Sequence, residues 1–150
     1  MNLVVRLAHE GDIETLAEFN QGLALETENR VLSGEILRSG VRHLLARPQY
    51  GFYLVAECGG AVAGCLMITF EWSDWRDGVY WWVQSVYVRP EFRGQGVYRA
   101  LYAAMKSRAA SLPEVCGCRL YVEEHNHRAK EVYTRLGMKP TGYQVYEALF

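Results

Sequence analysis

Short apolar runs of two kinds alternate along the chain, and their spacing predicts the order of its elements. Residues 3–7 favour a strand, and residues 12–20 repeat apolar positions at helical spacing. A second helix is predicted to begin after Ser33, because serine is a preferred N-cap residue. It is predicted to end before Pro48, because proline disfavours helical geometry in the residue that precedes it.

The middle of the chain predicts three consecutive strands. Residues 52–57 and 62–70 are strand-like, and a Gly-Gly pair at 59–60 supplies the positive φ angles that a tight hairpin turn requires. A polar loop over residues 71–78 is predicted to lead into residues 79–88, a long aromatic and β-branched strand.

Helices and strands alternate again in the last third. Residues 96–110 predict a helix and 119–123 a strand. A last helix follows, with Gly137 placed to end it, and residues 141–149 are predicted to close the chain as a strand. We therefore predict one mixed α/β domain over residues 1–150.

Composition and charge exclude several classes of protein. Half of the 150 residues are hydrophobic, 22% are charged and the formal net charge is −1. This balance is globular rather than disordered, and it provides no overall positive field for nucleic acid or anionic lipid. No apolar run approaches the roughly 20 residues of a spanning helix, and the N-terminus lacks a signal-peptide pattern. The expectation is a cytoplasmic protein without a nucleic-acid or membrane partner.

The four cysteines do not form a metal-binding pattern. Cys116 and Cys118 are separated by one residue, whereas zinc-binding pairs usually have two to four between them. Cys65 and Cys118 lie in strand-like runs. We predict reduced thiols, no disulfide and no metal.

One segment predicts a binding site for an anion. A strand ends, Pro90 begins a turn, Gly94 and Gly96 follow, and a helix starts at once. Such a turn exposes backbone N–H groups at the positive end of a helix dipole, and glycines let phosphate oxygens come close. Arg93 adds a charge that can reach them. Taken alone, the pattern also fits a tight turn without a ligand.

Two segments together resemble a known family. Residues 86–96 look like motif A of the GNAT acetyltransferases, whose core is Arg/Gln-x-x-Gly-x-Gly/Ala. Residues 126–138 are similar to motif B, Asn-x-x-Ala-x-x-x-Tyr-x-x-x-Gly-Phe, with Met138 in place of the phenylalanine. The order of predicted elements fits as well, so the resemblance covers nearly the whole chain.

The resemblance implies a fold and a cofactor. The fold would be a mixed, mostly antiparallel α/β sheet with splayed fourth and fifth strands, flanked by about four helices. The cofactor would be acetyl-CoA, with backbone N–H groups of the turn on its pyrophosphate and the fourth strand beside its pantetheine arm. The implied cofactor-binding residues are Val86, Tyr87, Val88, Arg93, Gly94, Gln95, Gly96, Val97, Tyr98, Asn126 and Tyr133.

The resemblance also implies a catalytic acid. Tyr133 would donate its proton to the departing thiolate, and a phenol has a basicity suited to that task. Core packing on the apolar face of the last helix would also explain Tyr133. Asn126 fits both a helix N-cap and a cofactor ligand.

The chain departs from the family pattern at two positions. Tyr98 stands where motif A has Gly or Ala, and its ring could contact CoA or pack into the sheet. Gln84 lies near the position of the glutamate base of many relatives, and an amide cannot take a proton at neutral pH. The base, if there is one, stays open between bulk water and seven side chains: Glu26, Glu28, Glu71, Asp74, Asp77, Glu123 and His125.

The expected acceptor is a primary amine of a small molecule, with polyamine-like and amino-acid-like compounds both open. Aromatic faces next to carboxylates suit an ammonium group, which makes Glu28, Trp72, Trp75 and Gln84 the candidate substrate-binding residues. We predict an N-acetyltransferase that works by direct attack in a ternary complex. The alternatives are a non-catalytic acyl-CoA sensor or interaction module and a peptide or protein N-terminus acetyltransferase. A homodimer through the aromatic segment 143–150 is a further expectation.

Overall fold

The computed structural model describes residues 2–150. The chain divides into two compact units, one ending at Leu120 and one formed by Tyr121–Phe150. The strands are β1 (Leu3–Leu7), β2 (Gly51–Cys58), β3 (Ala61–Ser73), β4 (Gly78–Val88) and β5 (Val115–Leu120). The helices are α1 (Ile13–Glu28), α2 (Gly34–Leu45), α3 (Val97–Ala110) and α4 (His127–Arg135). The prediction of a single domain stays a prediction.

The five strands form one sheet in the order β1-β2-β3-β4-β5. The first four are antiparallel neighbours, and β5 pairs with β4 in parallel. Short turns can join antiparallel strands, whereas a parallel pair needs a crossover, which α3 provides here. The predicted mixed, mostly antiparallel sheet and the predicted number of about four helices are confirmed for the described residues.

Apolar side chains on both faces of the sheet hold the first unit together. On one face, Leu16 and Phe19 of α1 and Val41 of α2 pack against a set of alternate strand residues, which are Tyr53, Val55 and Cys65. On the other face, Leu101 and Met105 of α3 are almost fully buried. Successive side chains of a strand point to opposite faces of the sheet. Odd- and even-numbered residues of one strand therefore pack against different helices.

Two local predictions are confirmed by geometry. The Ser33 hydroxyl accepts the N–H of Ile36 at 3.3 Å, which caps α2. Gly59 and Gly60 have φ angles of 59° and 83° in the β2–β3 turn, the left-handed conformation that glycine adopts without strain. The first helix is longer than predicted and continues to Glu28.

The predicted loop over residues 71–78 is wrong. The β3–β4 ladder continues through the pairs Glu71–Tyr80 and Trp72–Val79, and only residues 74–77 form the turn. Cross-strand pairing outweighed the polar composition, since polar side chains are tolerated on an exposed strand end. The strand expected at 119–123 lies at Val115–Leu120, because its register follows the parallel ladder with β4.

The predicted strand over residues 141–149 is also wrong, since the structure has no strand there. Odd- and even-numbered side chains are both exposed, whereas a strand would bury one of the two sets. Tyr143 is 74% exposed and Tyr146 is 91% exposed. A strand requires a partner to satisfy its backbone groups, and this segment has no ladder among the described residues. Among residues 2–150, no helix has the length and apolar character needed to cross a membrane.

Candidate active site

A bulge distorts β4 halfway along its length. Met67 pairs with Gln84 and Cys65 pairs with Tyr87, so Ser85 and Val86 together face the single residue Leu66. Ser85 has a φ angle of 49°, which is uncommon for a residue other than glycine. Bulges bend a strand and redirect its side chains, and they are frequent beside active sites.

The ladder between β4 and β5 stops immediately before this bulge. Its last pair is Val83 with Leu120, although β4 itself continues to Val88. The edge of β4 beyond Val83 is therefore not hydrogen-bonded to β5. The predicted splay of the fourth and fifth strands is confirmed, and it provides an edge suited to a peptide-like ligand arm.

The turn that follows β4 has the geometry of an anion cradle. Gly94 and Gly96 have φ angles of 72° and 82°, and a β-carbon added to either would meet no atom within 4 Å. Gly96 is the N-cap of α3, and among residues 2–150 no side chain caps that helix end or places a carboxylate in its first turn. The first N–H groups of a helix lack intrahelical acceptors and carry the positive end of its dipole. These residues therefore fit a pyrophosphate.

The Arg93 side chain extends towards α1. Its Nε donates to the Val88 carbonyl at 2.9 Å, and its Nη2 forms an ion pair with the Glu26 carboxylate at 2.8 Å. The Tyr87 hydroxyl donates to the same carboxylate at 3.2 Å, and the Arg93 guanidinium lies over the Tyr87 ring. Burial, and secondarily Glu26, raises the pKa of Tyr87. Glu26 thus connects the end of α1 to the turn.

Two other side chains, one in the turn and one at the start of α3, contact neighbouring groups of the protein. The Gln95 amide donates to the Glu91 carbonyl at 2.8 Å, which closes the turn on its own backbone. The Tyr98 ring packs near Tyr102 of α3, with 6.2 Å between ring centroids. Tyr98 lies in the first turn of α3, so this contact joins two residues that are one turn apart on the same helix.

A second group of functional side chains lies on the sheet face that also carries Tyr53 and Cys65. Gln84 donates its amide to the Thr69 hydroxyl at 2.5 Å. The Trp82 indole donates to the Glu71 carboxylate at 3.0 Å. Alternation along β3 and β4 places these four side chains on the same face, and all are half-buried.

Arg119 of β5 completes this group. Its Nη1 donates to both oxygens of Glu71, at 2.8 and 3.3 Å, and its guanidinium lies 3.8 Å from the centroid of the Tyr80 ring. Arg119 pairs with Trp82 in the parallel ladder, one position before that ladder ends. We call Thr69, Glu71, Tyr80, Trp82, Gln84 and Arg119 the polar face.

Two of the predicted acceptor residues lie away from Gln84, towards the β3–β4 turn. Trp72 pairs with Val79, five positions from Gln84 along β4 and therefore about 17 Å away. Trp75 is in the hairpin turn and is 90% exposed. Glu28 ends α1, and its carboxylate lies 3.6 Å from the guanidinium of Arg30. The structure instead brings Gln84 together with Thr69, and Trp82 together with Glu71.

The side chains considered as a base have different surroundings. Glu26 and Glu71 are held by arginines, as described above. Asp74 and Asp77 belong to the exposed hairpin turn, and Glu123 accepts the backbone N–H of His125 at 2.9 Å. The alternation of side chains along β3 could have predicted that Glu71 lies on the same face as Thr69. Its ion pair with Arg119 depends on the parallel pairing of β4 with β5, and no nearby residue indicates that pairing.

The second unit carries the motif-B residues. The Asn126 side chain accepts the N–H of Ala129 at 3.1 Å, so it is the N-cap of α4. The helix ends near Gly137, whose φ angle is 85°, as predicted. Burial raises the pKa of Tyr133. A raised pKa keeps the phenol protonated, which is the state that an acid requires.

The four cysteines differ in burial. All four cysteines are free, and Cys65 is buried at the bulge, where its Sγ donates to the Ser85 carbonyl at 3.4 Å. Burial raises the pKa of Cys65 to about 12. Cys65 is thus a packing residue of the bulge, since a thiol at that pKa remains protonated and unreactive.

Comparison with known proteins decides the family. The family model described as "Acetyltransferase (GNAT) family" matches residues 16–138, which include the bulge, the turn and α4. The chain belongs to the GNAT family. A curated relative, thialysine N-epsilon-acetyltransferase from Bos taurus, is 31% identical over 149 residues, with 90% of this chain and 83% of that protein covered.

Solved structures agree with this membership. A protein described as a possible acetyltransferase from Clostridium difficile 630 has 38% identity and a TM-score of 0.93, covering 100% of this chain and 99% of that one. A predicted acetyltransferase from Clostridium acetobutylicum, solved with acetyl-CoA, has 16% identity and a TM-score of 0.80, covering 98% and 96%. At that identity the second likeness shows the fold alone.

Proposed function

We propose that this GNAT protein is an acetyl-CoA-dependent N-acetyltransferase that acts on a primary amine of a small molecule. The observation that carries the proposal is the open glycine turn at the N-terminus of α3, directly after a bulged strand whose edge is not paired with β5. The small-amine acceptor is supported by the polar face and by the name of the bovine relative.

The cofactor would supply an acetyl group on a thioester with a thiolate leaving group. Backbone N–H groups from Gly94 to Tyr98 hold the pyrophosphate, and the edge of β4 from Val86 to Val88 pairs with the pantetheine arm. A backbone N–H near Val86 stabilises the carbonyl oxygen as it gains charge.

On the acceptor side, Gln84 orients the amine by hydrogen bonding. The amine must be neutral to attack, and its proton leaves to water or to a carboxylate. The neutral amine would attack the thioester carbonyl, and its nitrogen would lose a proton to water as the C–S bond breaks. Tyr133 would give its phenolic proton to the sulfur and regain one from water, which makes Tyr133 the catalytic acid of the proposal. Asn126 is proposed to act beside it as a cofactor ligand as well as a helix cap.

Thermal denaturation with and without acetyl-CoA tests the cofactor part. A ligand at a hundred-fold excess over its Kd stabilises the folded state by about 2.7 kcal/mol. The expected result is a rise in Tm that saturates with cofactor concentration. An unchanged Tm at millimolar acetyl-CoA would exclude cofactor binding, and with it the enzyme.

A screen of amines for release of the CoA thiol tests catalysis. Diamines, amino acids and short peptides represent the three acceptor classes. Turnover of small amines is expected. Preference for peptides would indicate an N-terminus acetyltransferase instead. Binding of acetyl-CoA without turnover of any class would favour the non-catalytic module, a rival that the absence of a glutamate at position 84 motivates.

A further inference from the structure

We infer that Glu26 of α1 is a positioning residue for the cofactor, because it holds the Arg93 guanidinium against the free edge of β4. Arg93 fixes the end of the edge that pairs with the pantetheine arm, and it is not a phosphate ligand. This inference rests on the proposed function and concerns how the protein holds the same cofactor site in place.

The direction of the Val88 carbonyl is the first observation. The Arg89 N–H donates to the Ala63 carbonyl of β3 at 2.9 Å. In a trans peptide the carbonyl of one residue points opposite to the N–H of the next, and among residues 2–150 no peptide bond is cis. The Val88 carbonyl therefore points away from β3, to the side of β4 on which the ladder with β5 has already ended at Val83.

The Arg93 side chain occupies that carbonyl. Its Nε donates to the Val88 oxygen at 2.9 Å, and its Nη2 donates to both oxygens of Glu26, at 2.9 and 2.8 Å. A guanidinium carries its donors in a fixed planar fork, so the two acceptors set its orientation together. Because two of its three nitrogens bond to protein acceptors, Arg93 would have to give up these bonds to reach a phosphate.

The Glu26 carboxylate is itself held by β4. The Tyr87 hydroxyl donates to it at 3.2 Å, and the Arg93 guanidinium lies 5.5 Å from the centroid of the Tyr87 ring. Tyr87 can approach α1 because Gly22, one helical turn before Glu26, has no side chain. A β-carbon at Gly22 would lie 2.8 Å from the Tyr87 hydroxyl oxygen. Glycine is unfavourable inside a helix, and this close approach explains its place in α1.

The two possible roles of Arg93 predict opposite effects of Glu26. If Arg93 bound phosphate, Glu26 would compete for it and would repel the anionic cofactor, so removal of the carboxylate would tighten binding. If Glu26 positions Arg93, removal of the carboxylate loosens the edge of β4 and weakens binding. Both side chains are 43% exposed, so solvent screens the ion pair and the expected effect is moderate.

Calorimetric titration of CoA at about 0.15 M ionic strength, where distant exposed charges are screened, separates the two roles. Glu26→Gln should raise the Kd about five-fold, the upper end of what an exposed ion pair contributes. Arg93→Gln should raise it equally, and the double variant should lose no more than either single variant, because both changes remove the same contact. Tighter binding by Glu26→Gln, or additive losses in the double variant, would overturn the inference.

Two further measurements identify the part of the cofactor that Arg93 serves. Arg93→Lys keeps the charge but lacks the planar fork, so it should lose as much CoA affinity as Arg93→Gln. The nucleotide half of the cofactor, 3′-phospho-ADP, has the phosphates of CoA without the pantetheine arm, and Arg93→Gln should leave its Kd unchanged. Full affinity in Arg93→Lys, or weaker binding of 3′-phospho-ADP by Arg93→Gln, would assign Arg93 to the phosphates instead.

Arg38→Gln is the matched control. The Arg38 side chain is 41% exposed and forms an ion pair with Glu14 of α1 at 3.6 Å, so the change breaks a similar contact about three turns from Glu26. It should leave the Kd for CoA within about two-fold. Thermal denaturation checks that each variant is folded. A loss as large as that of Glu26→Gln would show a general weakening of α1 and overturn the inference, whereas failure of the unaltered protein to bind CoA would overturn the proposed function.

Discussion

The glycine turn and the polar face lie at the two ends of the same strand region, yet they are built from different parts of the chain. The turn offers backbone N–H groups, because its own side chains bond within the protein. The Gln95 amide donates to the Glu91 carbonyl, and the Arg93 guanidinium donates to the Glu26 carboxylate. The polar face offers side chains, and three strands contribute to it. Backbone recognition suits a cofactor part common to many acyl donors, whereas side chains can discriminate between acceptors.

This difference has a consequence for substitution. Side-chain changes in the turn should have little effect on cofactor affinity as long as the backbone conformation is kept. Side-chain changes on the polar face should alter the choice of acceptor and leave the cofactor alone. In the proposed mechanism the chemical step depends on a third place, the hydroxyl of Tyr133.

The largest effect is expected from removal of that hydroxyl. Tyr133→Phe should lower kcat by about a hundred-fold, the lower end of what a general acid contributes, with Kd for CoA unchanged. Because burial raises the pKa of Tyr133, its proton is lost only at a pH above the ordinary phenol value of about 10. The fall of kcat at high pH should therefore begin above that value. Tyr50→Phe, at an exposed tyrosine, is the control, and equal turnover of both variants would remove the acid role.

The next largest effect tests the backbone of the turn. Gly96→Val should weaken CoA binding by about a hundred-fold, because a β-branched residue strains at a φ of 82° and its side chain enters the space left open for the phosphates. Calorimetry measures the Kd. Gly59→Val is the matched control, since φ there is 59° in a hairpin turn. If both variants bind CoA equally well, the turn is not the phosphate site.

A smaller effect tests the polar face. Gln84→Ala should raise KM for the acceptor by about ten-fold, the loss of one hydrogen bond to a polar or charged group, with no change in Kd for CoA. Thr69→Val removes the hydroxyl that receives the Gln84 amide and should have a weaker effect of the same kind. A change in cofactor affinity rather than in KM would mean that Gln84 serves the turn and not the acceptor.

The smallest effect is expected within the turn itself. Gln95→Ala removes a side chain whose amide donates to the Glu91 carbonyl, so Kd for CoA should stay within about two-fold of the original value. Calorimetry under the conditions used for Gly96→Val makes the comparison direct. A ten-fold loss would show that the side chain of Gln95 takes part in binding, and the contrast between backbone and side-chain recognition would fail.

Much of this molecule was predictable because its signals are local. The positive φ angles at Gly59 and Gly96 and the caps at Ser33 and Asn126 depend on residues within a turn of one another. Local steric and hydrogen-bonding preferences suffice for such features. The glycine turn could therefore be predicted as an anion site, and motif B made it a CoA site by resemblance.

The tertiary structure decided what depends on pairing between distant segments. The bulge at Ser85, the end of the β4–β5 ladder at Val83 and the junction of Glu71 with Arg119 all follow from register across strands. A polar residue such as Glu71 has no preference that separates a loop from an exposed strand end, so composition predicted a loop. The segment at 141–149 had strand-like composition but no partner, and β propensity without a partner does not make a strand. The sequence by itself determined the glycine turn, and the tertiary structure decided the polar face beside it, because only pairing between distant strands brings its side chains together.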